Sequence, residues 1–219
     1  MRTITARVAT KFLKKASSEL EIHIFDFDGT LFRSPEEPSW WSRRRYGYWF
    51  PTETSLGAPF IPAKAPSEYW INSAVRDAKK SIGNMNAWTI MCTGRVDNPA
   101  LRYRVAELLK QAGLDFDEVF LNDMGGDTAP YKKRVLINLL KQHPQVKKVC
   151  VWEDTQENLD ALEAVCSRVG IPFEGHLISV APVSSDHISE EEYVEFLRGE
   201  LPPSEFDKIY KALTKKGTL

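Results

Sequence analysis

Residues 22–32 read IHIFDFDGTLF, a short apolar run that leads directly into Asp26 and Asp28. Its β-branched and aromatic residues favour a buried strand, and Gly29 favours a turn where that strand ends. Open α/β sheets bind ligands at the carboxyl ends of their parallel strands. Because two carboxylates this close repel each other unless a cation or a proton relieves the repulsion, the run predicts a Mg²⁺ site. An ordinary Asp-Gly turn without chemistry is the alternative.

The chain then repeats a strand-and-helix pattern. Short apolar runs predict further strands at residues 87–92, 118–122, 149–152 and 176–180. The segments between them carry apolar residues at helical spacing, the first of them a helix from Ser67 to Gly83. Alternation of this kind predicts the α/β class, as a Rossmann-like three-layer sandwich with a central parallel sheet.

Composition and charge exclude several classes of protein. The 219 residues carry 29 basic and 30 acidic side chains, a formal net charge of −1, so overall charge does not indicate a polyanionic partner. No apolar run reaches the roughly 18 to 20 residues of a membrane span, and no secretory signal is present, so we expect a soluble, intracellular, cytoplasmic protein. Cys92, Cys150 and Cys166 lack a Cys-x-x-Cys spacing, which disfavours a disulfide framework and a zinc site and predicts buried reduced thiols.

The predicted domain organisation has three parts. Residues 1–18 are basic with apolar residues at helical spacing, which predicts a leader helix lying on the domain; an organelle-targeting peptide of similar composition is the minor alternative. Residues 19–185 form the main α/β domain, and a proline-rich insert occupies 33–66 within it. Residues 186–219 carry apolar residues on both sides of a Pro-Pro pair and predict a helical appendage without chemistry.

Within the insert, residues 40–50 read WWSRRRYGYWF; we call them the aromatic–arginine segment. Its density of rings and arginines fits a surface on which bases stack and arginines contact phosphates, as in single-strand binding proteins. In that interpretation Trp41, Arg43, Arg44 and Arg45 contact the substrate. In the other, the rings cover a core under a long loop and the arginines are simply solvated.

Other strand ends bring polar residues to the same edge of the predicted sheet. The second strand runs into Thr93, the fourth runs into Glu153 and Asp154, and Lys132 lies at the start of a helix. These residue types suit phosphoryl transfer, in which one carboxylate attacks, a second moves a proton, and a hydroxyl and an ammonium stabilise the phosphoryl oxygens. A divalent cation held by the remaining carboxylates would reduce the repulsion between nucleophile and phosphate.

In order and spacing these residues resemble the four motifs of the haloacid dehalogenase (HAD) superfamily of Mg²⁺-dependent phosphatases. The resemblance implies a HAD-like fold in which Asp26 is the nucleophile that forms an aspartyl-phosphate and Asp28 is the general acid/base. It implies that the Thr93 hydroxyl binds phosphate and that Lys132 is the lysine of the third motif. The implied metal sphere is Asp26, the main-chain carbonyl of Asp28, Asp154 and water.

The metal sphere and the lysine have alternatives. Many members of the superfamily place a second aspartate four residues after the motif-four aspartate, where this chain has Asn158. Glu153, or Asn158 through water, could therefore complete the sphere. Lys133 is the alternative to Lys132.

Residues next to the motifs are candidate contacts to the substrate phosphate, namely Thr30, Gly94 and Arg95. The Arg95 guanidinium could clamp a phosphate through two parallel hydrogen bonds. Alternatively, Arg95 pairs with Asp97 or Glu153 as a structural ion pair.

A narrower resemblance is to the HAD domain of Swiss Army Knife RNA-repair proteins and, more loosely, to polynucleotide phosphatases. It covers about residues 20–180. The matching features are the run LFRSP at 31–35, the pair Trp40-Trp41, the run CTGR at 92–95, the spacing Thr128-x-x-Tyr131-Lys132 and the run Trp152-Glu153-Asp154.

The gaps between motifs leave room for only a small cap domain or none, which favours an open site and a large substrate. We therefore expect a hydrolase with Mg²⁺ as cofactor that removes phosphate from a DNA or RNA end, most of all a 3′-phosphate. The alternatives are a phosphatase of free nucleotides or small phosphometabolites, and a non-catalytic module of the same fold that binds nucleic acid. No membrane partner is expected.

Overall fold

The computed structural model describes residues 6–200 and Ser204, and only the backbone at 6–8, 12 and 200. The described chain divides into two compact units. The first contains the residues up to 33 together with 67–181, and the second contains 34–66 together with the residues from 182 onward. The insert and the described part of the tail, which the sequence treats as separate features, therefore belong to one unit.

Five parallel strands form the sheet of the first unit, which confirms the α/β class. They are β1 (Glu21–Phe25), β2 (Ala87–Val96), β3 (Glu118–Asn122), β4 (Lys148–Glu153) and β5 (Phe173–Leu177). Their spatial order is β3-β2-β1-β4-β5, and every neighbouring pair is parallel. The strand of the opening run is thus central, with β2 and β4 on its two sides, and all carboxyl ends lie along one edge.

Helices cover the sheet on both faces. In chain order the α-helices of the described residues are α1 (Ala6–Lys15), α2 (Arg43–Tyr46), α3 (Asn72–Gly83), α4 (Pro99–Gln111), α5 (Thr128–Gln142), α6 (Gln156–Val169) and α7 (Glu190–Glu200). Of these, α2 and α7 belong to the second unit. On one face, Ile22 and Ile24 of β1 share a buried cluster with Leu136 of α5 and Leu162 of α6. Alternate residues of a strand point to opposite faces, so His23 points to the other one. Among the described residues, no helix is both long enough and apolar enough to cross a lipid bilayer.

The predicted helix from Ser67 to Gly83 is shorter than expected at its start. Residues Ser67–Tyr69 form a separate 3₁₀ turn, and α3 begins at Asn72. The cause is the Ile71 N–H, which donates to the carbonyl of Leu31 at 3.0 Å and so holds an extended residue before the helix.

Two predicted strands have different limits in the structure. β2 does not end at Cys92 but continues to Val96, where it still pairs with Asn122 after an irregularity in register. β5 lies at Phe173–Leu177 rather than 176–180, because its pairing with β4 begins at Phe173 opposite Val149. All three cysteines are buried free thiols, which confirms that prediction.

The leader helix α1 is attached to the first unit by a buried cation. Lys14 Nζ donates to Asp117 Oδ2 and to the Ile82 carbonyl, both at 3.0 Å, and the Lys14 side chain is buried. Lys15 Nζ lies 4.3 Å from the centre of the Trp88 ring. Residues 1–5 of the predicted leader lie outside the described residues.

The second unit is built around a cluster of aromatic rings. Trp41 packs on Trp49 with ring centroids 4.8 Å apart, and Trp49 packs edge-on against Phe60 at 4.9 Å. Tyr193 of α7 joins the same cluster, 5.6 Å from Trp41. The part of the predicted tail beyond the Pro-Pro pair, with Phe206, lies outside the described residues except for Ser204.

Candidate active site

Asp26 stands at the centre of the carboxyl edge of the sheet. It follows β1 directly, and its N–H donates to the Trp152 carbonyl of β4 at 3.0 Å, which fixes its backbone next to that strand. Its side chain is only about one-twentieth exposed, at 5%, and accepts a hydrogen bond of 2.6 Å from Lys132 Nζ. Burial raises the pKa of Asp26 well above its usual value, Lys132 opposes this, and the carboxylate of Glu153 adds to it.

Lys132 lies in α5 and connects two carboxylates. Its Nζ contacts both Asp26 Oδ1 and Glu153 Oε1, and all three side chains are buried. Burial alone would lower the pKa of Lys132, but the two carboxylates outweigh it and raise that pKa. Lys132 is therefore a fixed ammonium in contact with the predicted nucleophile.

Glu153 ends β4 and is surrounded by donors. Besides Lys132, Asn158 Nδ2 donates to it at 3.1 Å, as do the Thr155 hydroxyl at 3.1 Å and the Asp154 N–H at 3.1 Å. Burial would raise the pKa of Glu153, but Lys132 and these donors lower it. Asn158 thus helps to hold the Glu153 carboxylate in place.

A cation could be held by three carboxylates at this edge. One oxygen each of Asp26, Glu153 and Asp154 lie within 4.8 Å of one another. Burial, followed by the neighbouring Glu153, raises the pKa of Asp154 to about 6. Oxygen donors with excess negative charge are what Mg²⁺ prefers, so the donor set fits that ion.

Gly29 allows the turn after β1 to approach Asp154. Its φ of 70° lies in the left-handed region, and a Cβ added there would overlap the Asp154 carboxylate. The left-handed backbone conformation and the close contact with Asp154 therefore each require a glycine at position 29.

Asp28 is held by a guanidinium fork. Arg95 Nε lies 2.9 and 3.0 Å from the two Asp28 oxygens, and Nη2 lies 2.7 Å from Oδ1. The Thr93 hydroxyl donates to Asp28 Oδ2 at 3.2 Å. Arg95 does form an ion pair, as the alternative predicted, but its partner is Asp28 where that alternative named Asp97 or Glu153.

The remaining predicted residues near the motifs occupy different positions. Thr30 Oγ1 is buried and has no hydrogen-bond partner among the described residues. Gly94 lies against Thr128 at the start of α5, so that an added Cβ would overlap the threonine hydroxyl. Lys133 is half-buried, and Lys132 is the lysine that reaches the carboxylates.

The aromatic–arginine segment lies in the second unit, mostly engaged in internal contacts. Trp41 is 7% exposed and surrounded by rings, so its predicted role as a stacking surface does not fit its position. Arg45 pairs with Glu190, and Arg43 Nε lies 3.2 Å from Glu37. Arg44 is exposed.

Sequence reasoning assigned no role to some residues that the structure brings forward. Tyr48 is 68% exposed and Phe50 is 50% exposed, unlike the other rings of the segment. Thr155 was missed as a donor to Glu153, although its place between β4 and α6 is a typical position for a capping hydroxyl. The signal for Tyr48 and Phe50 was present only in the composition of the segment.

Comparison with known proteins adds a family match. The profile of a family described as HAD domain family 1 in Swiss Army Knife RNA repair proteins matches residues 30–197. The uncharacterized protein YMR265C of Saccharomyces cerevisiae is 22% identical over an alignment of 196 residues, and the match covers 78% of this chain and 42% of the yeast protein. The chain thus spans less than half the length of that relative.

Two solved structures are similar to this chain at low sequence identity. A chain of the Pnkp1/Rnl/Hen1 RNA repair complex is 14% identical with a TM-score of 0.47, covering 74% of this chain and 44% of that one. The HAD domain of the effector protein Lem4 from Legionella pneumophila is 12% identical with a TM-score of 0.44, covering 88% of this chain and 99% of that one.

Proposed function

Since this chain belongs to the family of HAD domains found in Swiss Army Knife RNA repair proteins, we propose that it is a Mg²⁺-dependent phosphomonoesterase of nucleic-acid ends. The reaction we propose proceeds through an aspartyl-phosphate on Asp26, and the substrate is an RNA or DNA end carrying a 3′-phosphate. The observation that carries the proposal is the contact between buried Asp26 and Lys132 beside two further acids.

Mg²⁺ would be held by the side chains of Asp26 and Asp154 and by the main-chain carbonyl of Asp28. The fit rests on the three carboxylates, one oxygen of each of which lies within 4.8 Å of the others. Burial first, and then the neighbouring Glu153, raise the pKa of Asp154, and a bound cation would stabilise its ionised form. When bound, the ion supplies positive charge that reduces the repulsion between the nucleophile and the phosphate.

The first chemical step belongs to Asp26. One carboxylate oxygen attacks phosphorus, an O–P bond forms, and the bond from phosphorus to the ester oxygen of the nucleic acid breaks. Lys132 keeps Asp26 oriented through its 2.6 Å contact and places positive charge beside the developing negative charge. Thr93 is proposed to donate its hydroxyl to a phosphoryl oxygen.

Asp28 is proposed to move the protons. It gives a proton to the leaving ester oxygen, which departs as a hydroxyl of the nucleic acid. It then takes a proton from the water that hydrolyses the aspartyl-phosphate, which returns Asp26 and releases phosphate. In the structure Arg95 and Thr93 both hold Asp28, so its carboxyl group has a defined orientation before substrate binds. Arg95 is therefore proposed as a residue that positions Asp28. Separately, Thr30 and Gly94 are proposed to contact the substrate phosphate.

Contacts with the nucleic acid away from the reacting phosphate are proposed for the exposed part of the aromatic–arginine segment. The Tyr48 ring is exposed, and the Arg43 guanidinium lies over it at 5.7 Å. Arg44 and Phe50 are exposed in the same segment. Stacking on rings and pairing of arginines with phosphates is the usual chemistry of single-strand binding.

The test compares phosphate release from a 3′-phosphorylated oligonucleotide, a nucleoside 3′-monophosphate and an aryl phosphate. We expect Mg²⁺-dependent release that is fastest on the oligonucleotide, and its loss in Asp26→Asn with an unchanged circular dichroism spectrum. Asp160→Asn, on the exposed surface of α6, is the matched control and should retain activity. Activity in Asp26→Asn would refute the mechanism, and faster release from the mononucleotide would refute the substrate.

A further inference from the structure

A second group of potential metal ligands lies on β1 and β4, away from the acids at the carboxyl edge. Glu21, His23 and Cys150 each offer one ligand atom, and these three atoms lie within 4.8 Å of one another. The residues come together because His23 pairs with Cys150 across the two strands and Glu21 lies two residues before His23 on the same face. Sequence spacing does not reveal this group, because its histidine and its cysteine are 127 positions apart.

We propose that Glu21, His23 and Cys150 form a binding site for a borderline-soft transition metal ion of the Zn²⁺ class. Thiolate, imidazole and carboxylate are the three ligand types of protein zinc sites. The bond lengths of such sites place neighbouring ligand atoms about 3.3 to 3.6 Å apart. The three ligand atoms lie within 4.8 Å of one another, and His23 Nε2 and Glu21 Oε2 are 2.8 Å apart, so small side-chain movements bring them to that spacing. The proposal is independent of the phosphatase reaction.

His23 is already oriented for this role. Its Nδ1 lies 2.8 Å from the Ser81 hydroxyl of α3, and its Nε2 lies 2.8 Å from Glu21 Oε2. Because a carboxylate only accepts, Nε2–H donates to Glu21 in the metal-free chain. When a metal binds at Nε2, the ring proton moves to Nδ1 and is donated to the Ser81 hydroxyl, a second partner that is typical of metal-ligating histidines. Burial lowers the pKa of His23, which keeps the imidazole neutral as a ligand must be.

Cys150 must lose its proton when the metal binds. Its thiol is buried, and burial raises its pKa to about 11, so it is protonated at neutral pH without a metal. Binding breaks the S–H bond, forms a sulfur–metal bond and releases one proton to solvent. No electron is transferred.

Two charged groups from neighbouring positions face this site. Glu174 of β5 pairs with Cys150 in the register of the sheet and is the candidate for a fourth ligand. The Lys148 ammonium of β4 pairs with the Glu174 carboxylate, so a metal ion would compete with Lys148 for that carboxylate. Replacing Lys148 should therefore strengthen metal binding.

The test uses the full chain with Co²⁺ as a spectroscopic probe and with excess Mg²⁺, which occupies oxygen-rich sites and binds thiolate poorly. We expect a thiolate-to-cobalt charge-transfer band in the near ultraviolet at one equivalent of Co²⁺, with release of one proton. The band should persist in Cys166→Ala, the matched buried-cysteine control, and in Asp26→Asn, and disappear in Cys150→Ser.

Two further variants avoid changing the cysteine. Glu21→Gln, at the half-exposed start of β1, and Ser81→Ala should keep the circular dichroism spectrum and weaken Co²⁺ and Zn²⁺ binding by roughly 10- to 100-fold. Lys148→Gln should strengthen it. No band in the wild-type chain, a band that survives Cys150→Ser, or unchanged affinity in both Glu21→Gln and Ser81→Ala would each overturn the proposal.

Discussion

Replacing Lys132 with methionine removes the ammonium that contacts both Asp26 and Glu153. The chain length is nearly conserved, so the main change is electrostatic, and two buried carboxylates lose the cation that pairs them. Breaking a buried ion pair by removing one partner costs about 3 to 5 kcal/mol of unfolding free energy. We expect a loss in that range at neutral pH, measured by urea denaturation.

The pH dependence of this loss follows from Asp26. Burial already raises its pKa in the folded protein, and removing Lys132 raises it further. A group whose pKa is higher folded than unfolded favours folding below its unfolded pKa, and that contribution is lost as the pH rises through its folded pKa. The deficit of Lys132→Met should therefore be largest at neutral pH and become smaller as the pH falls toward about 4.

Activity and a neighbouring variant complete this test. If Lys132 stabilises the developing charge, kcat for an aryl phosphate should fall by roughly 100- to 1,000-fold. Lys133→Met changes the next residue, which does not contact the two carboxylates, and should shift unfolding by no more than about 0.5 kcal/mol. A kcat of Lys132→Met close to wild type, or a stability loss equal to that of Lys133→Met, would refute the role of Lys132.

Three more predictions follow from contacts of the first unit. Because the pKa of Asp154 is raised to about 6, Mg²⁺ must displace a proton from it at low pH. The Mg²⁺ concentration for half-maximal activity should therefore be about tenfold higher at pH 5 than at pH 7. A concentration that does not change with pH would argue against Asp154 as a ligand. A lysine in Arg95→Lys cannot hold Asp28 through two parallel hydrogen bonds as the guanidinium does. We expect kcat to fall about 100-fold while the circular dichroism spectrum stays unchanged. A change confined to KM would instead indicate that Arg95 acts only in substrate binding. Lys14→Met leaves the Asp117 carboxylate buried without its ammonium partner, so the free energy of unfolding measured in urea should fall by about 3 kcal/mol. Lys15→Met, which loses only the contact with the Trp88 ring, should lower it by at most about 1 kcal/mol. Equal losses in the two variants would contradict the buried pair.

The positions of the acids in the sheet could be predicted because they depend on local signals. The apolar runs before Asp26 and before Glu153 each predict a strand, and parallel strands with helical crossovers place their carboxyl ends along one edge. Lys132 could be placed because Pro130 indicates the first turn of α5. This part of the fold needed no knowledge of which strands are neighbours.

The partners of individual side chains could not be predicted in the same way. Arg95 pairs with Asp28 only because β2 continues past Cys92 through an irregular register, which no local pattern indicates. Whether the rings of the aromatic–arginine segment are buried depends on Tyr193, which lies far along the chain. Such contacts follow from tertiary packing, which overrides what composition suggests.

The aromatic cluster of the second unit has a consequence for synthesis of the protein on the ribosome. Tyr46 and its partner Glu190 are 144 positions apart, and residues 67–181, the larger part of the first unit, are translated between them. At about 5 to 20 residues per second, the tryptophans of the insert wait roughly 7 to 30 seconds for α7. During that interval the apolar rings of the insert lack Tyr193 of α7, so we expect the nascent chain to bind chaperones until α7 emerges.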